Sequence, residues 1–221
     1  MKITLHSNKD LEAKLWIPKN ATKAIVIAHS FRNSMDEPVC IEAAETFSKS
    51  GYAVLSFNFL GHGNSRGELR DVSYRTTSEN MASAIRLLKS KGFEKVGVYA
   101  ISLGTIATVL SREQPDAQVF LSVSPLYNPK GLLERYLKYI NEEFVEKNGY
   151  AEVMSGSGRG SFQMGREWVK EMQCENGEAI QKYKKNQIPT LIIQGTNDEL
   201  SRLEGVKSFV KETKSQYLEI P

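Results

Sequence analysis

The sequence predicts an α/β fold built on a mostly parallel sheet, and three observations predict it. Short apolar runs rich in β-branched residues recur at 24–28, 53–57, 96–100, 119–123 and 190–193. They are apolar on both faces, as in strands covered on both sides. Helical stripes lie between them: Met81, Ala84, Ile85 and Leu88; Val39, Ala43 and Phe47; Leu203, Val206 and Val210. Strand and helix alternate from residue 23 onward, which implies right-handed βαβ units with helices on both faces of the sheet.

The opening segment reads differently. Ile3-Thr4-Leu5 and Ala13-Lys14-Leu15-Trp16-Ile17 flank Asn8-Lys9-Asp10, the pattern of an antiparallel hairpin at a sheet edge. Residues 126–186 break the alternation. They carry helix-like pieces at Leu132–Phe144 and Arg166–Gln173 and a Gly/Ser loop at Ser155–Ser161, without a clear buried strand. The organisation expected is a core of residues 1–125 and 187–221 with an inserted helical cap at 126–186. The Gly/Ser loop lacks the following Lys-Ser/Thr of a phosphate cradle and links no strand to a helix, so it reads as a turn of the cap.

Composition narrows the function classes. The chain has 221 residues, 40% apolar and 25% charged, with a formal charge of +3. That is ordinary for a globular protein with a full-sized core. The charge is too mild, and too evenly spread, to mark a nucleic-acid face. Cys40 and Cys174 stand alone, without metal or redox spacing, and read as thiols in a reducing compartment. The N-terminus has no apolar signal core and no window approaches a membrane span, so a cytoplasmic location is expected. No HExxH or clustered His/Asp/Glu set calls for a metal, and no cofactor is implied.

The sharpest chemical signal is Ala100-Ile101-Ser102-Leu103-Gly104, where a buried strand ends and a helix begins. A serine on such a tight turn needs small residues two before and two after it, here Ala100 and Gly104. Its hydroxyl would stand over a helix N-terminus, whose partial positive charge favours an oxyanion. Two roles fit Ser102: that nucleophile, or a simple helix N-cap. The turn His29-Ser30-Phe31 follows the first parallel strand, where a second oxyanion donor is needed, so the backbone N–H groups of Phe31 and Leu103 are the candidates.

In order and spacing, His29-Ser30-Phe31, Asn58-Phe59-Leu60-Gly61-His62-Gly63-Asn64-Ser65, Ala100–Gly104 and Gln194-Gly195-Thr196-Asn197-Asp198 resemble the landmarks of the α/β-hydrolase superfamily. The closest likeness is to serine esterases of the cinnamoyl/feruloyl-esterase and monoacylglycerol-lipase-like group. The resemblance covers nearly the whole chain and is weakest in the cap. It departs from the family at Ala100, where glycine is usual, and at Ser30, where His-Gly is common. It implies an α/β-hydrolase fold and cleavage of small-molecule carboxylic esters through an acyl-enzyme on Ser102. It gives Asp198 the role of orienting a histidine, with Glu199 as fallback. Position alone also suits Asp198 as a cap for helix 201–213.

The resemblance places the base histidine after one further strand, which here is Tyr217–Ile220. The three histidines are His6, His29 and His62, and none follows Asp198. The base is therefore expected beyond residue 221, together with a final helix. His29 is expected to shape the oxyanion turn, and His62 reads either as a turn histidine or as a substitute base. Thioesterase and serine peptidase share this machinery. An inactive binding module is the reading in a different class. A dinucleotide binder would need glycines in the turn His29–Asn33, which has none. Tyr127, Tyr136, Phe144, Phe162 and Trp168 either line a pocket or pack the cap.

Overall fold

A computed structural model describes residues 2–5, 10–128, 131–134, 141–154, 160–173, 177–199 and 201–221. The main sheet has eight strands in the order β1 (Lys2–Leu5), β2 (Leu11–Trp16), β4 (Ala53–Phe57), β3 (Lys23–Ala28), β5 (Lys95–Ile101), β6 (Ala117–Leu121), β9 (Thr190–Gly195), β10 (Gln216–Ile220). The β1–β2 hairpin and the β2–β4 pair are antiparallel, and every other pair is parallel. The edge hairpin and the parallel core stand where the sequence puts them. His6, in the hairpin loop, lies outside the described residues.

Side chains alternate across the sheet, so each central strand feeds two layers. Ala24, Val26, Ala28, Leu55 and Phe57 face the larger core, which α2 (Tyr74–Ser90) and α3 (Leu103–Leu110) complete with Met81, Ile85, Leu88 and Ile106. Ile25, Ile27 and Val54 face the smaller core under α1 (Pro38–Lys49). There the buried face of α1 is Cys40 and Ala44. Ala43 and Phe47 only flank it, and Val39 is exposed. The expected stripe is thus rotated by one position, because the two small residues let α1 approach the sheet.

Coverage on the two faces is unequal. In β5, β6 and β9 one set of side chains is buried and the alternate set only half-buried. Among the described residues, α1 is the helix on the second face, and it covers β3 and β4. Helices do lie on both faces, but these three strands are not enclosed on both sides as their apolar runs suggest.

The segment between β6 and β9 contains α4 (Ser124–Tyr127), α5 (Glu142–Asn148), β7 (Tyr150–Met154), β8 (Ser161–Gly165), α6 (Arg166–Gln173) and α7 (Gly177–Asn186). Besides its helices it holds a two-stranded antiparallel hairpin, β7–β8, which the sequence reading did not anticipate. Ala151, Val153, Phe162 and Met164 form the buried side of that hairpin. Asn141 caps α5 through its side chain, which separates α5 from residues 131–134. Arg166–Gln173 is helical as expected. Residues 155–159 of the Gly/Ser loop lie outside the described residues. The last helix among the described residues, α8 (Leu203–Thr213), buries Val206 and Phe209. No described helix is long and apolar enough to cross a membrane.

Candidate active site

The C-terminal ends of β3, β5, β6 and β9 converge on one edge of the sheet, where open α/β sheets place their ligands. β5 runs into α3 through Ser102, at φ 49° and ψ −105°. A serine at positive φ is strained, and such strain persists only where the surroundings enforce it. Two sets of contacts enforce it. The Ser102 N–H donates to the Leu121 carbonyl at 2.9 Å, and the Ser102 carbonyl accepts from Thr105 through both N–H and Oγ1–H. Gly104 presses α3 onto β3, so a Cβ there would lie 2.8 Å from the Ala28 carbonyl oxygen. Ala100 is fully buried beneath the turn. The Ser102 hydroxyl makes no cap hydrogen bond to α3. The N-cap role read as an alternative is therefore not the one it plays.

Ser102 lines a cavity of about 60 Å³ with Phe31, Leu103, Ser122, Trp168 and Met172. Leu103 is the first residue of α3, and its N–H is among those a helix leaves unsatisfied. Neither the Phe31 nor the Leu103 N–H has a hydrogen-bond partner among the described residues. The sequence-derived donors and Ser102 thus meet at one pocket.

His29 and His62 build the turn that carries Phe31. His29 Nδ1 donates to the Ser30 carbonyl at 2.7 Å, and its Nε2 accepts the Phe59 N–H at 3.1 Å. His62 Nδ1 donates to the Leu60 carbonyl at 3.0 Å, and its Nε2 accepts the Arg32 N–H at 3.1 Å. These partners assign both rings as the neutral Nδ1–H tautomer. Burial pushes the His29 imidazole down to about 3, and the neighbouring His62 adds to the shift. Burial lowers His62 as well. With both nitrogens of each ring committed to backbone, neither is free to take a proton from Ser102. His62 is a turn histidine, and it pins Arg32, whose φ is 58°, directly after Phe31.

Asp198 lies in the turn after β9. Its Oδ2 accepts the Ser122 hydroxyl at 2.7 Å, and its Oδ1 accepts the Ser201 N–H at 2.9 Å. It does not cap α8, whose N-cap is Arg202. Glu199 is exposed in the same turn. Asp198 is joined to the pocket through Ser122, which lines it. Sequence reasoning missed Ser122, Ser124 and Ser201. The Ser124 hydroxyl donates to Ser201 Oγ at 2.8 Å, tying the end of β6 to the turn after β9. Ser122 and Ser124 sit in an ordinary-looking run, and only the fold brings Ser122 to Asp198 and Ser124 to Ser201.

The segment between β6 and β9 reaches the same place through aromatic residues. Phe31 makes edge contacts with Trp168 at 4.5 Å and Phe162 at 5.3 Å between ring centroids. Arg32 lies over the Phe162 ring at 4.7 Å. Both Glu171 carboxylate oxygens accept N–H groups at the start of α2, from Tyr74 and Arg75. Trp168 therefore lines the pocket, whereas Phe162 packs behind Phe31, Tyr127 packs on Phe209 and Phe144 is exposed beside Tyr150. Tyr136 lies outside the described residues. Among the described residues, no group of His, Cys, Asp and Glu could hold a metal ion.

Comparisons with known proteins agree with this architecture. The ferulic-acid-bound Est1E structure from Butyrivibrio proteoclasticus superposes with a TM-score of 0.80 over 99% of this chain and 89% of that one, at 22% identity. A putative hydrolase from Agrobacterium vitis S4 gives 0.77 over 100% and 89%, at 18% identity. These likenesses show the α/β-hydrolase fold. Among curated sequences, an acyl transferase of Photobacterium leiognathi is 27% identical over 142 residues, covering 62% of this chain and 46% of that protein. An acyl transferase of Shewanella hanedai is 28% identical over 137 residues, covering 59% and 44%. The chain spans about half the length of the curated relatives it matches. A family model described as acyl transferase matches residues 2–220, nearly end to end, and the chain belongs to that family.

Proposed function

We propose that this protein moves acyl groups by a serine mechanism. Ser102 Oγ attacks the carbonyl carbon of an ester, and its proton passes to a histidine. The carbonyl π pair moves onto oxygen, held by the N–H groups of Phe31 and Leu103. Collapse expels the alcohol, which takes the proton back from the histidine, and leaves an acyl ester on Ser102. Water then releases the acid, or another nucleophile accepts the acyl group. The acyl transferase names of the relatives favour a second acceptor besides water.

The observation that carries this reading is the strained turn at Ser102, whose hydroxyl is not used as a cap and which lines one cavity with Phe31 and Leu103, the residues of the two unclaimed N–H groups. Asp198 orients the histidine. That base is a histidine outside the described residues, because both nitrogens of His29 and of His62 are occupied. The segment between β6 and β9 serves as the cap, and Trp168 and Met172 shape the acyl pocket.

The test is turnover of p-nitrophenyl acetate by the full-length protein. Ser102→Ala should lose on the order of 10⁴- to 10⁶-fold in kcat. Unchanged turnover would remove the mechanism. Turnover by these 221 residues alone would place the base at His6, His29 or His62.

A further inference from the structure

We propose that Ser122 is a positioning residue for this reaction, holding the Asp198 carboxylate and tying it to the Ser102 turn. The inference rests on the reading of Ser102 as the acyl acceptor. Ser122 immediately follows β6 and stands at φ 52°, a left-handed conformation that a serine adopts only under constraint. Ordinary turn chemistry would put glycine or asparagine there. What serine adds is a hydroxyl, and that hydroxyl donates to Asp198 Oδ2 at 2.7 Å, a charge-assisted bond across 76 positions of sequence.

The same stretch of chain holds the other partner. Leu121, one residue earlier, accepts the Ser102 N–H at 2.9 Å. A continuous path therefore runs from the Ser102 backbone to the Leu121 carbonyl, through the strained Ser122 backbone, to the Asp198 carboxylate. It crosses the ends of β5, β6 and β9, the three strands whose relative placement sets the distance between nucleophile and acid. Ser102 and Ser122 are both strained, both at strand ends and both on the wall of one cavity. Strain clustered in this way marks a site where the fold maintains a conformation for use. The Ser201 N–H on Oδ1 and the Ser122 hydroxyl on Oδ2 together fix the carboxylate plane. Held in this way, the carboxylate can keep an imidazole in the required tautomer. Ser122 keeps its proton throughout and touches no reacting atom.

The test uses Ser102→Ala, Ser122→Ala and Ser122→Gly in the full-length protein, assayed on p-nitrophenyl butyrate with melting temperatures measured in parallel. Loss of one hydrogen bond to a carboxylate should lower kcat by about 10- to 100-fold in Ser122→Ala, with KM changed less than about twofold. Ser122→Gly suits the positive φ, so it keeps the fold while removing the hydroxyl. It should show the same kcat loss with a melting temperature no lower than the parent's. Parental kcat in Ser122→Gly overturns the inference, whatever Ser122→Ala does. So does a raised KM at unchanged kcat, which would make the hydroxyl a substrate contact. Full turnover in Ser102→Ala would instead overturn the reading of Ser102, and the inference with it.

Discussion

Two strained serines and two buried histidines share one edge of the sheet, and their endowments are opposite. Ser102 and Ser122 hold positive φ angles and line the cavity. His29 and His62 are almost wholly buried, and every ring nitrogen is engaged with backbone. Histidine is the residue type most often given acid–base work. Here the pair is structural, holding the Phe31–Arg32 turn from behind, and the candidate nucleophile is Ser102. Residue type names what a side chain could do. Strain, exposure to a pocket and unclaimed hydrogen-bonding capacity decide what it is placed to do.

The serine side of this comparison breaks most severely at Gly104. A Cβ there would sit 2.8 Å from the Ala28 carbonyl oxygen and 2.9 Å from its Cβ. Both neighbours belong to β3, so neither can move aside cheaply. Gly104→Val should lose about 3 kcal/mol of stability in urea unfolding, and a loss below about 1 kcal/mol would show that α3 is free to shift. The histidine side is tested by acid. Both imidazoles are held neutral in the fold, His29 down to about 3, while an unfolded histidine titrates near 6.5. As pH falls below 6.5 the unfolded chain binds protons that the folded chain refuses. The stability these rings contribute is therefore complete above that pH and declines below it, with a slope approaching about 1.4 kcal/mol per pH unit from His29 and a further fall in the same direction from His62. Between pH 6.5 and 5 few carboxylates titrate, so urea midpoints in that window read the histidines. Midpoints that stay flat there would mean that both rings take up protons in the fold as they do in the unfolded chain.

The main sheet was legible because its signal is periodic and local. Runs such as Ala24–Ala28 and Ala53–Phe57 fall within a residue of the strands they predict. The tight strand-to-helix turn at Ser102 was equally legible, since steric need fixes which neighbours must be small, and Ala100 and Gly104 are the small residues there. The hairpin β7–β8 was not. Its alternation, with Ala151 and Val153 inward and Glu152 and Met154 outward, spans only a few residues. It is interrupted by Gly and Ser, which reads as a linker. Ser122 was invisible for another reason. Its strain and its bond to Asp198 arise from the placing of β6 beside β9, and no local pattern encodes a partner 76 residues away. The stripe on α1 misled because Cys40 and Ala44 are small, while the larger Val39 seemed the natural core residue until the sheet chose the closer face.

One measurement bears most directly on the central claim, that Ser102 is the acyl acceptor. The full-length protein is treated with a fluorophosphonate and the modified peptide is sequenced by mass. A single stoichiometric adduct is expected on the peptide containing Ser102, lost in Ser102→Ala. An adduct on Ser122, Ser124 or Ser201, or labelling that survives Ser102→Ala, would contradict it.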